Sequence, residues 1–166
     1  MRHDDQKELF AQTCAEVWND VQVEPELLPL TGVHMDRKTA KTQADARSDV
    51  RVRGFWHKEQ NAFFEFRVLY PSASSYLNQS PLELYEHFAQ ARKLEYEQRI
   101  NQVDSGSFTP MIMLSSGGMG PEMTMAVKHL ARKLALLQGC DSFAVSHGVC
   151  HEPKCSGVLA WVSVKT

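Results

Sequence analysis

The chain predicts an α/β fold with a mixed central sheet flanked by helices. Three observations carry that prediction. Residues 46–56 alternate and pass through the short polar connection His57-Lys58-Glu59-Gln60-Asn61 into residues 62–69, a mostly apolar run suited to the middle of a sheet. Ser80-Pro81, with Glu83 three residues after the serine, is a helix start signal, and the helical pattern behind it runs to about residue 102. Phe108-Thr109-Pro110-Met111-Ile112-Met113-Leu114 is a further buried strand, which Gly117-Gly118-Met119-Gly120-Pro121 interrupts before a helix through about Gln138.

The remaining elements follow in order. Leu9, Phe10, Cys14, Val17, Trp18 and Val21 recur at helical spacing and predict an amphipathic helix over residues 5–22. Pro25 and Pro29 hold the next stretch extended, and residues 31–45 are polar and turn-rich, as in an exposed loop. Cys140 to Val145 is a candidate last strand. The order α-β-(loop)-β-β-α-β-α makes one mixed α/β sandwich, with residues 1–145 as the domain and 146–166 as an atypical Cys/His-containing tail.

Composition sets bounds on function. A chain of 166 residues with 43% apolar content builds one ordinary core. A net charge of -2 excludes a polybasic nucleic-acid binder, so any such contact is a local patch. Cys14, Cys140, Cys150 and Cys155 are unevenly spaced and form no disulfide framework. Met1-Arg2-His3-Asp4-Asp5 opens no secretory or membrane-spanning run. These points predict a protein without a membrane span, intracellular, in cytoplasm or nucleus. The helical pattern begins at once, as expected of a fragment of a longer chain.

The chemistry concentrates where strands break their own rules. Asp49 heads a strand-like run, although Asp is disfavoured in strands. Glu65 lies inside Ala62-Phe63-Phe64-Glu65-Phe66-Arg67-Val68. In one reading Glu65 faces solvent with Phe63 and Arg67 on its side of the strand. In the other, Asp49 and Glu65 meet at one end of a strand hairpin, an arrangement costly without a cation between them. The second reading makes them ligands of Mg²⁺ or Mn²⁺, with Arg67 beside a phosphate. Arg67 can grip phosphate bidentately and cannot act as a base, so activation of water falls to the metal. Arg92, Lys93 and Tyr96 on the long helix are candidates for a cation supplied from elsewhere, against a solvated helix face with Glu95 and Glu97. Arg47, Lys93, Lys128 and Arg132 are candidate nucleic-acid contacts, with a solvated face equally open for the last two. The glycine-rich loop reads first as a structural turn and second as a phosphate contact at a helix start. His147, Cys150, His151 and Cys155 supply zinc-ligand types at a spacing that is not a standard finger.

Arg47-Ser48-Asp49, fifteen residues and then Glu65 resemble the acidic pattern of the PD-(D/E)XK superfamily of restriction-like endonucleases. The likeness is to the kind found in reverse transcriptases of site-specific non-LTR retrotransposons, and to animal proteins derived from them. The helix with Arg92 and Tyr96 and the segment Thr109-Pro110-Met111-Ile112 through Gly120 look like segments that follow in that family. The resemblance implies a restriction-endonuclease-like core that nicks DNA by hydrolysing phosphodiester bonds. It implies metal-binding carboxylates at Asp49 and Glu65, a cation at Arg67 or Arg92 with Tyr96 as neighbour, and an upstream acid at Glu24. It implies DNA or RNA as partner, and fusion to or association with a reverse transcriptase. Ser48 stands where the family has proline, and Arg67 where it has lysine. That second departure leaves open a catalytically decayed relic that binds nucleic acid or protein.

Overall fold

The computed structural model describes residues 3–27, 46–73, 76, 79–137 and 139. Among them run α1 (His3–Ala15), β1 (Val21–Val23), β2 (Val50–Arg53), β3 (Asn61–Leu69), α2 (Pro81–Val103), β4 (Ser107–Leu114) and α3 (Pro121–Leu137). The predicted loop over residues 31–45, the candidate strand after Cys140 and the Cys/His tail lie outside the described residues. The class is α/β with a mixed sheet, as expected: the strands stand in the order β1-β2-β3-β4. β1–β2 and β2–β3 pair antiparallel, and β3–β4 pair parallel across the α2 crossover.

Local chemistry explains each element. Ser80 caps α2 with its side chain on the Glu83 N–H while the Glu83 carboxylate returns to the Ser80 N–H, and Pro81 occupies the first turn. Pro110 is tolerated in β4 because, among the described strands, β4 is the edge strand, where a missing N–H breaks no ladder. The glycine loop after β4 folds back on the strand: Leu114 N–H donates to Gly118 O and Gly120 N–H to Ile112 O. Gly117 adopts φ 95°. A Cβ at Gly118 would lie 2.5 Å from the Tyr85 hydroxyl, so close packing on α2 explains this glycine.

The first helix differs from its prediction. It stops at Ala15, and Val21 belongs to β1, where it pairs with Val52. Two β-branched residues flanking Gln22 gain more from sheet pairing than from another helical turn. The buried face of α1 is also shifted: Leu9 is exposed, whereas Gln6, Lys7, Phe10, Ala11 and Cys14 are buried.

Alternation along β3 sorts its residues into two layers. Ala62, Phe64 and Phe66 join Phe10, Cys14, Met123, Leu130 and Leu134 in the core shared with α1 and α3. Phe63, Glu65, Arg67 and Leu69 face α2. The helix presents Leu84, Phe88, Arg92, Tyr96 and Ile100 at four-residue spacing to meet that row. It therefore runs back along β3, with Phe88 over Arg67, Tyr96 over Glu65 and Ile100 by Phe63.

Phe64 is fully buried and packs edge-on against Phe10 and Phe55. Phe64→Ala is expected to cost about 3–5 kcal/mol in a denaturant melt, whereas Leu94→Ala, at a site 76% exposed, should change stability by less than about 0.5 kcal/mol.

Candidate functional site

The site forms where β3 outruns β2. The antiparallel ladder ends at Val50↔Phe64, so the next opposed residues are Asp49 and Glu65. Beyond this point side chains replace backbone pairing. Ser48 Oγ donates to Phe64 O at 2.9 Å, and Phe66 N–H donates to Asp49 Oδ2 at 2.6 Å. Ser48 is almost wholly buried, so the hydroxyl standing where the resemblance has proline fastens the strand end.

Glu65 projects toward α2, and Tyr96 Oη donates to Glu65 Oε1 at 3.5 Å. Its neighbours are otherwise apolar or charged: Phe63 lies two residues behind, and Asp49, Arg92, Glu95 and His3 all act on it electrostatically. Burial first, and then the Asp49 charge, push its carboxyl up to about 7, while Arg92 pulls the other way. Tyr96 stacks on Phe108, and burial, reinforced by Glu65, raises its hydroxyl, so it stays a neutral donor.

The other expected residues divide. Arg67 shares the face of Glu65, but its guanidinium lies over the Phe88 ring, 5.2 Å from the centroid. Arg92 Nη1 donates to Glu95 Oε2 at 2.6 Å and remains close enough to Glu65 to lower its carboxyl. Lys93 points elsewhere, 2.9 Å from Glu122 on α3. Arg47 pairs with Glu26 at 3.1 Å on the surface. Lys128 and Arg132 are exposed on α3, which packs on the sheet face opposite Glu65. The structure thus gathers Asp49, Glu65, Arg92 and Tyr96, places Arg67 at the margin, and leaves Arg47, Lys93, Lys128 and Arg132 outside.

Two site residues come from α1. His3 Nε2 lies 2.9 Å from Phe66 O and 3.3 Å from Asp49 Oδ2. Burial would lower its pKa, but the Asp4 hydrogen bond, the Asp49 charge and the Phe66 carbonyl together raise it above the ordinary value. Lys7, buried beneath α1, donates to Glu24 Oε1 at 2.6 Å; that bond outweighs burial and raises the ammonium, with Asp49 and Asp4 adding to it. Glu24 holds φ 52° and donates its N–H to Asp49 O, so the upstream acid sits beside the pair, already engaged by Lys7. The sequence carried one signal for this helix face: His3 and Lys7 continue, at four-residue spacing, the stripe of Ala11 and Cys14.

Among the described residues no three His, Cys, Asp or Glu side chains cluster as a metal cage. Asp49 and Glu65, opposed across the end of the β2–β3 ladder, are hard oxygen donors of the type Mg²⁺ takes and lack the nitrogen and sulfur ligands of a structural zinc. Their opposition where the ladder stops is the observation behind that fit, and the raised Glu65 carboxyl accords with it. Among the described residues, no helix is long and apolar enough to cross a membrane. Comparison of the chain with protein-family models, curated proteins and solved structures found no match.

The raised Glu65 carboxyl sets a sign for stability. Below the ordinary 4.5 the group is protonated folded or unfolded; between there and about 7 the folded chain keeps a proton that the unfolded chain releases. Stability therefore falls as pH rises through that window and stays lower above it. Glu65→Gln should flatten this fall and raise stability at about pH 8 by roughly 1–3 kcal/mol. Denaturant melts of both proteins across pH check it; parallel curves would contradict it.

Proposed function

We propose that the chain is a restriction-endonuclease-like module of the PD-(D/E)XK kind that cleaves phosphodiester bonds in DNA with a divalent cation. The carrying observation is the opposition of Asp49 and Glu65 at the open end of the β2–β3 ladder, with Glu65 disfavoured as an anion. Two acids opposed in a half-buried setting raise each other's charging cost, and a divalent cation would offset it. The element order αβββαβα and the mixed sheet support the same reading.

Asp49 and Glu65 would hold Mg²⁺ or Mn²⁺, which when bound supplies Lewis acidity toward a phosphodiester and its attacking water. Asp49 is fixed by the Phe66 N–H, so one carboxylate oxygen stays committed to the strand. Tyr96 holds Glu65 on the α2 side. Arg92 and Arg67 supply positive charge along the same row for a phosphate approaching the sheet edge. Neither arginine can relay a proton near neutral pH. Asp4, Glu24 and Glu26 surround the approach with acid, and Lys7 and Arg47 offset the last two. Derivation from a retrotransposon reverse transcriptase, with DNA or RNA as partner, rests on the resemblance of residues 47–65 and their followers.

A second reading is favoured by one specific arrangement: Arg67 is stacked on Phe88 and Arg92 is paired to Glu95, so both candidate cations have partners within the protein. It makes the chain a decayed relic that binds nucleic acid or protein without cutting.

Supercoiled plasmid incubated with the protein separates the two. With Mg²⁺ or Mn²⁺ the active reading expects nicking that EDTA abolishes, and Glu65→Ala or Asp49→Ala should lower its rate at least about 100-fold. Equal rates in wild type and both variants would reject these carboxylates as the catalytic pair. No nicking by well-folded wild type would favour the relic.

A further inference from the structure

Where β2 ends, away from Asp49, an aromatic group reaches the surface. Trp18 and Trp56 both pack on Phe55, with ring centroids 4.8 Å away in each case. His129 of α3 completes the group, 5.1 Å from the Phe55 and Trp56 rings. Phe55 is buried, but the two indoles are only partly so and line a cavity of about 570 Å³, within the range of ligand pockets. Both indoles are fixed through their N–H groups. Trp18 Nε1 donates to Gly54 O at 3.0 Å, and Trp56 Nε1 to Thr109 Oγ1 at 3.1 Å. Each ring therefore offers a π surface rather than a hydrogen bond.

The rim of this cavity is cationic. Arg53 and Lys58 come from the β2–β3 hairpin, and Lys133 stands one turn after His129 on α3. All three are exposed, and none makes an ion pair or covers an aromatic ring among the described residues. Of the two acids at the rim, Asp20 is matched by Arg51 at 2.6 Å, which leaves Glu59. Three cations against one unmatched acid make a local positive field in a chain of net charge -2. Fixed π surfaces inside a positive rim suit a nucleobase and its phosphates. The cations come from separate elements, hairpin and helix. A base within a strand carries a phosphate on each flank, whereas a free nucleotide carries it on one. Bases in a duplex are already stacked on one another and offer no free face.

We propose that this cavity binds an unpaired nucleic-acid strand, with bases on the Trp18 and Trp56 rings and phosphates on Arg53, Lys58 and Lys133. Arg53 is four residues beyond Asp49, about 13 Å along the strand. The strand site is thus separate from the acid pair, goes beyond the cleavage reading and does not rest on it.

The test is fluorescence anisotropy of a labelled oligothymidylate of about 12 nucleotides, titrated with the full chain in EDTA over a range of salt. Wild type is expected to bind, with affinity falling as salt rises. Trp56→Leu should weaken binding about tenfold. Lys58→Gln and Lys133→Gln should each weaken it and make the salt dependence shallower by about 0.7 in log–log slope. A thymine–adenine duplex of the same length and thymidine monophosphate should each compete at least about tenfold less well than the strand. No binding by folded wild type would overturn the proposal. So would equal affinity in Trp56→Leu, unchanged slopes in both lysine variants, or competition by the duplex or the mononucleotide as strong as by the strand. Should Trp56→Leu fold poorly by circular dichroism, the exposed lysines decide: slopes at the wild-type value overturn the proposal, and shallower slopes support it. EDTA removes divalent cations, so failure here leaves the Asp49–Glu65 reading standing, and failure of that reading leaves strand binding intact.

Discussion

The geometry of this domain depends on where one antiparallel ladder stops. β2 contributes only Val50–Arg53, while β3 continues through Leu69. The second half of β3 would expose its backbone edge, which proteins do not leave bare. Ser48 and Asp49 solve this locally by bonding the Phe64 carbonyl and the Phe66 N–H through their side chains. The first residue of α1 covers the Phe66 carbonyl. The site is assembled from these substitutes for missing strand pairing. Asp49 is held in place by a backbone bond, and the β2–β3 register sets Glu65 directly opposite it.

That arrangement costs stability, and the surrounding charges show how the cost is spread. Glu65 is pressed by burial, by Asp49 and by Glu95, and relieved by Arg92 and His3. Lys7 neutralises Glu24 at the far side of Asp49. The result is an alternation of acids and bases along one strand end rather than a buried ion pair, with the positive groups coming from α1 and α2 on opposite sides of the sheet. Strained backbone joins the charge at this place: Glu24 has a positive φ while its N–H bonds Asp49 O. Electrostatic and backbone strain thus fall together at this strand end.

Much of this was legible from residues. The Ser80-Pro81-Glu83 cap marked the start of α2, and the alternation Phe63, Glu65, Arg67 announced a shared face of β3. What alternation could not say is what covers that face; α2 lies over it, so Glu65 is neither on open solvent nor in a purely apolar core. The helix over residues 5–22 misled because Trp18 and Val21 prolong an apolar period that the sheet takes over, with Val21 pairing to Val52. His3 and Lys7 were hidden for the opposite reason. They are polar residues on the inward face of α1, which hydrophobic periodicity passes over; only their four-residue spacing from Ala11 marks them. Arg67 shows the limit of motif spacing: its position on the strand is as expected, yet the Phe88 ring takes up its guanidinium.

The nuclease reading requires Asp49 and Glu65 to form one cation site. The most direct measurement is a crystal structure grown in Mn²⁺, with the ion located by its anomalous scattering. A single strong peak within coordination distance of both carboxylates is predicted. Well-ordered carboxylates with no peak between them would contradict it.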